Sequence, residues 1–141
     1  MDTTDQAPSR NAYSEKWQQR FAFFDEHGAP NSPTFKPALL KLPFKQKIRI
    51  NANIIAFFFG PIYLFVLGLW KKNLTLIGIL IALNIAAEIF YSATNFAYAK
   101  QLDFGIGFAM NLLYAIATNY AYYLKEIKGE QGWNPFKGMR W

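Results

Sequence analysis

The residues able to do acid–base or metal chemistry are few, and their spacing matters more than their number. The 141-residue sequence holds 1 histidine and no cysteine. Disulfides, thiolate catalysis and cysteine-based metal sites are therefore excluded. His27 alone does not make a usual zinc site, and its position at a predicted helix end fits packing or capping. No glycine-rich phosphate loop, nucleophile elbow or paired-carboxylate motif occurs. Glu88 stands out instead, because it interrupts the long apolar run 74–99. An ionised carboxylate at bilayer depth is costly and faces a protein interior or water. Asn84, Glu88, Tyr91 and Asn95 recur at helical spacing, which puts them on one face. Asn111, Tyr114, Thr118 and Tyr122 repeat a similar period in residues 104–124. A short connection makes these two helices antiparallel neighbours, so Asn84 and Glu88 are expected to meet Tyr114 or Thr118. The preferred reading is a hydrogen-bonded or protonated Glu88 that fixes helix packing. The alternative is a proton or cation site in a small transporter or channel component. One carboxylate without a second acid or a histidine is a thin basis for a proton path. No cofactor, metal or catalytic residue is expected, and the chain is read as a non-enzyme.

The elements that position these residues are apolar and helical. Between Ile50 and Leu124 the only charges are Lys71, Lys72, Glu88, Lys100 and Asp103, while both flanks are polar. The net charge is +6, and residues 36–49 alone carry Lys36, Lys41, Lys45, Lys47 and Arg49 with no acid. A basic block beside a hydrophobic segment favours anionic headgroups on the cytoplasmic leaflet. No nucleic-acid module accompanies it, so nucleic acid is not an expected partner. The first apolar run starts too late for a secretory signal peptide.

Residues 1–13 read as disordered, 14–49 as amphipathic interfacial helices, 50–124 as a membrane domain and 125–141 as a cytoplasmic tail. Ser14 is placed to cap a helix that Gly28 stops. Trp17, Phe21 and Phe24 form its apolar stripe, widened by Phe23, which packs on the protein or on the membrane. A short helix follows from Phe35, with Pro37 in its first turn, and Pro43 opens another. Lys41, Lys45 and Arg49 fall four apart, with Phe44 and Ile48 projecting elsewhere, an interfacial pattern. Trp70 beside Lys71 and Lys72, and Tyr120, Tyr122 and Tyr123, read as interface anchors. Trp133 and Trp141 are expected on the membrane or folded back on the N-terminal helix. Gly105 and Gly107 fit a close helix approach.

The uncharged run 50–70 is long enough to span a bilayer, but Gly60 and Pro61 break it near its middle. It is one kinked span or a re-entrant hairpin. If all three runs cross, Lys and Arg from residue 36 onward divide six against six. If the first run turns back, they divide eleven against one. The positive-inside rule prefers the second arrangement, with spans at 74–99 and 104–124 and both termini cytoplasmic. The expected fold is therefore an all-α membrane protein with amphipathic N-terminal helices, a re-entrant segment and an antiparallel transmembrane pair. Three transmembrane helices are the alternative.

The stretch Asn53-Ile54-Ile55-Ala56-Phe57-Phe58-Phe59-Gly60-Pro61-Ile62-Tyr63, continuing to Leu69-Trp70-Lys71-Lys72, resembles a bacterial family of small inner-membrane proteins, domain-of-unknown-function family 2628. Lys16-Trp17-Gln18-Gln19-Arg20-Phe21 and Phe23-Phe24 also look like its members. The similarity runs from about residue 14 to about residue 100. It implies a bacterial cytoplasmic-membrane location and carries no activity or site residues. The residues themselves point to engagement of anionic lipid, a membrane-protein partner or a second copy, through Lys41, Lys45, Lys47, Arg49, Trp70, Lys71 and Lys72. An assembly, protective or immunity-type factor is a further alternative.

Overall fold

The computed structural model describes residues 10–139, so Trp141 and residues 1–9 of the expected disordered terminus lie outside the described residues. The described residues are helical, with no strand among them. After a single 3-10 turn at Arg10–Ala12 come α1 (Glu15–His27), α2 (Phe35–Leu40), α3 (Phe44–Asn51), α4 (Ile54–Val66), α5 (Trp70–Thr94) and α6 (Ala99–Glu126).

Local chemistry sets the boundaries. The Ser14 hydroxyl accepts from the Trp17 N–H and starts α1; Gly28, at φ 80°, ends it. Pro37 sits in the first turn of α2, where its missing N–H costs nothing. Lys41 ends α2 and Pro43 begins α3. Lys41 therefore leaves the expected shared face, and only Lys45 and Arg49 remain together on one helix. Asn53 caps α4 through the Ala56 N–H. Asn95 ends α5 in the left-handed region, φ 49° and ψ 46°, which Asn tolerates better than most residues.

α4 is two short helices meeting at Phe59, whose backbone is non-helical at φ −126° and ψ 26°. The break is where Pro61 withholds an N–H and restricts the residue before it. The chain reverses there along α6. Before the bend, the Asn53 N–H donates to the Ala115 carbonyl and the Phe57 ring meets Phe108 at 5.7 Å. After it, the Leu67 carbonyl accepts from Lys125 Nζ, near the other end of α6. Gly60 lies flat on the Tyr114 ring, and a Cβ there would sit 2.5 Å from Tyr114 Cγ.

Two cores share α6. One joins Phe21, Phe23 and Phe24 of α1 to Phe35, Leu39, Ile50 and Tyr123. The other joins Ala56 and Leu64 of α4 to Leu76, Met110, Tyr114 and Ala121. The stripe of α1 thus packs on the protein, against Tyr120, Tyr122 and Tyr123. Those tyrosines were expected as interface anchors; Tyr123 is instead buried, because the α1 aromatics cover it. Gly105 and Gly107 have open space around them, so among the described residues no helix approaches there.

The segments long and apolar enough to cross a membrane are Phe44–Val66 and Trp70–Thr94. They differ from the expected pair because α6 carries charges at both ends and Asn111, Thr118, Asn119 and several tyrosines between them. Exposed apolar side chains cover α4, α5 and the first half of α6, among them Phe58, Ile62, Ile85, Ile89, Phe104 and Phe108.

Substituting Gly60→Ala is expected to force the Tyr114 ring aside and cost about 1–3 kcal/mol. Gly78→Ala, in open space within α5, is expected to gain up to about 1 kcal/mol from helix propensity. Unfolding midpoints of the purified protein in detergent, followed by circular dichroism, check the opposite signs.

Candidate functional site

The broken backbone between α3 and α4 needs partners, and α6 supplies them. The Asn119 amide donates to the carbonyls of Arg49 (3.2 Å), Ile50 (3.1 Å) and Ala52 (3.1 Å). Its oxygen accepts from Asn53 Nδ2 at 3.0 Å. One asparagine so seals the carbonyls left open where α3 ends. A second seal lies past the Gly60 and Pro61 break. Asn73 Nδ2 donates to the Pro61 carbonyl at 2.8 Å, and its oxygen accepts from the Tyr114 hydroxyl at 2.8 Å. Asn53, Asn73 and Asn119 are all essentially fully buried.

The expected polar seam does not assemble. Asn84 turns back to its own helix, donating to the Leu80 carbonyl. Thr118 does the same with the Tyr114 carbonyl. Tyr114 meets Asn73 rather than Glu88, and Glu88 and Asn111 are exposed. Tyr91 donates to Asp103 Oδ1 at 2.8 Å and to the Ala99 carbonyl, tying the α5–α6 turn. Asn95 serves as the left-handed cap described above. The physical reason is the intruding hairpin: α4 packs on the face of α6 that α5 was expected to cover, so most of α5 beyond Leu80 stays exposed.

At the C-terminal end of α6 the cations have distinct roles. Lys72, expected to face lipid, is only 3% exposed, and its ammonium donates to the Gly132 carbonyl. The tail folds over it: Thr75 donates to the Trp133 carbonyl, and Trp133 sets its ring edge-on to Trp70 at 5.4 Å. Lys71 lies over both indoles. Trp133 therefore packs on the start of α5, not on the N-terminal helix. Lys41 and Lys45 are exposed, whereas Lys47 and Arg49 are partly covered. Arg49 donates to Gln19 Oε1 at 2.6 Å. His27 closes α1, its ring against Phe23 and its carbonyl accepting from Ser32 and Thr34.

Arg20 was missed, because its surroundings are long-range. It is 7% exposed, its Nε donates to the Arg49 carbonyl at 2.7 Å, and its guanidinium lies over the Trp17 ring at 4.5 Å. No carboxylate pairs with it among the described residues. Burial pulls its pKa down to about 10, with Tyr63 opposing and Arg49 adding to the fall, so it stays charged at neutral pH. Elsewhere on α1 and α6, Tyr13 donates to Glu126 and Tyr123 to Asp25. Burial, reinforced by Glu126, raises the Tyr13 hydroxyl well above its ordinary value. Among the described residues no group of three or more His, Cys, Asp or Glu is placed to hold a metal ion.

Asn119→Leu is expected to cost about 1–3 kcal/mol, because carbonyls lose their donor. Asn119→Asp is expected to cost more at pH 8, where an ionised carboxylate faces those carbonyls. The deficit is expected to shrink as the pH falls and the acid regains an O–H donor. Denaturation midpoints at pH 5 and pH 8 check the order and the sign.

The family model described as "Protein of unknown function (DUF2628)" matches residues 5–128. The uncharacterized protein YigF of Salmonella typhimurium is 39% identical over 126 residues, covering 86% of this chain and 90% of that protein. Its counterpart in Escherichia coli strain K12 is 40% identical over 127 residues, with the same shares covered. No solved structure matches. The matched region extends past the residues on which the resemblance was read and takes in α6 with Asn119. With most of its length matched, the chain belongs to the DUF2628 family of proteins of unknown function.

Proposed function

We propose that this is a non-enzymatic integral protein of the bacterial inner membrane, which engages anionic lipid through its basic, aromatic N-terminal half. α5 and α6 cross the bilayer as an antiparallel pair, and α4 dips in and returns as a re-entrant hairpin. Both termini lie in the cytoplasm. The observation that carries this reading is segregation along α6. Most of the large exposed apolar side chains sit on α4, α5 and the first half of α6, with Leu40, Phe44, Ile48 and Trp133 elsewhere, while α1, α3, Trp70, Lys71 and the tail gather at its C-terminal end. A soluble protein rarely exposes so large an apolar surface. The backbone supports the hairpin: irregular chain at membrane depth is tolerated where protein groups satisfy it, which Asn53, Asn73 and Asn119 do. Thr118 and Asn119 of α6 are buried, Asn119 against the ends of α3 and α4, while Asn111 stays exposed. Charge agrees, since this arrangement puts eleven of the twelve Lys and Arg from residue 36 onward on one side.

Single cysteines on the cysteine-free background test the topology in intact cells. Residues 14, 71 and 132 are expected to be protected from an impermeant maleimide, and residue 101 to label. Labelling at residues 71 and 132 with protection at 14 and 101 would replace the hairpin with three spans. Replacing Lys41, Lys45, Lys47 and Arg49 together by Gln is expected to lower the anionic lipid that co-purifies in mild detergent. Unchanged lipid content would overturn the lipid reading.

A further inference from the structure

α1 and α3 cross near the start of α4, and the space between them is a pocket of about 470 Å³. Each helix lends it two cations one turn apart: Lys16 and Arg20 from α1, Lys45 and Arg49 from α3. Among the described residues no Asp or Glu lines it. Like charges brought together without a counter-ion repel, and the repulsion is worst for Arg20, which is 93% removed from solvent if its 7% exposure is taken from the whole. Its position is nonetheless fixed, by the Arg49 carbonyl on Nε and by the Trp17 ring beneath the guanidinium. The remaining N–H groups of the fork make no hydrogen bond to the described residues, and the side chain lines the pocket. A planar fork held from behind and open in front is the usual arrangement for a phosphate or carboxylate.

Much of the rest of the lining is an apolar wall of Phe44, Ile48, Ile54 and Ile55, and Ile54 and Ile55 continue onto the exposed face of α4 with Phe58 and Ile62. A free inorganic anion has no use for that wall, whereas a molecule with a charged head and a hydrocarbon tail matches both sides.

We propose that this pocket is a discrete binding site for one anionic phospholipid. Its phosphate sits on the Arg20 and Arg49 guanidiniums with Lys16 and Lys45 at the rim, and its acyl chain lies along Ile54 and Ile55. The site rests on the membrane reading given above, but it is narrower: it separates Lys16 and Arg20, which lie outside the basic block, from Lys41 and Lys47, which lie within the block but outside the pocket.

The test uses the full chain, purified in mild detergent and titrated with phosphatidylglycerol or phosphatidylcholine under native mass spectrometry. One phosphatidylglycerol per chain is expected to bind ahead of any further lipid, with phosphatidylcholine much weaker. Lys16→Gln with Lys45→Gln, both on exposed side chains, is expected to weaken that first binding by about fivefold for each cation removed. Lys41→Gln with Lys47→Gln is expected to leave it unchanged. Arg20→Lys, which keeps the charge but loses the fork, is expected to weaken it with the fold intact by circular dichroism. Equal weakening by both lysine pairs would overturn the pocket while leaving the general lipid reading standing. No preference for phosphatidylglycerol would remove both. Displacement by glycerol 3-phosphate at the same concentration as the lipid would overturn the acyl-chain assignment and make the pocket a site for a soluble phosphate ester.

Discussion

The fold depends on satisfying backbone polar groups where an apolar segment is not continuously helical. Between Arg49 and Pro61 the chain ends one helix, starts another and bends within it. Each interruption releases carbonyls and N–H groups that would be expensive without partners in an apolar setting. Three asparagines answer this, one for each place where the chain breaks or meets a neighbour. Asn119 gathers the carbonyls at the end of α3, Asn53 starts α4, and Asn73 holds the far side of the bend. Their amides both donate and accept, so each joins two elements. Removing one exposes a defect in the backbone as well as removing a contact between helices.

α6 is the common support for everything else. Its C-terminal half meets α1, α3 and both arms of α4, while its first half carries exposed Phe104 and Phe108. Stability is thus concentrated at the end where the cations gather. The same crowding positions Arg20, because Trp17 and the Arg49 carbonyl hold it while α6 supports α1 from behind. The tail adds a smaller version of the scheme, closing over Lys72 and giving Lys71 two indole faces.

The local features were legible because their causes are local. Ser14, Gly28, Pro37, Pro43 and the Gly60 and Pro61 break act within a turn or two of themselves, and each boundary falls where those residues require. The polar seam was misjudged because helical spacing shows which residues share a face, not which neighbour covers that face. α4 claimed the face of α6 that Glu88 would have used. Nothing in the spacing of Asn53, Asn73 or Asn119 singles them out. Their partners lie 66, 12 and 70 residues away, beyond the reach of any periodicity. Arg20 was hidden for the same reason: a guanidinium on an amphipathic helix reads as solvated until another helix covers it.

The placement of Asn119 so late in the chain also governs the order in which the protein takes shape during synthesis. Its amide lies 66 residues after Asn53, a lag of roughly 3–13 s at a ribosomal rate of about 5–20 residues per second. The Tyr13–Glu126 contact spans 113 residues and waits longer still. Throughout that interval the hairpin and the aromatic face of α1 have emerged without the helix that closes them. Nascent α1, α3 and α4 hold those groups without their final partners until α6 arrives, and the chain closes from its last helix backward.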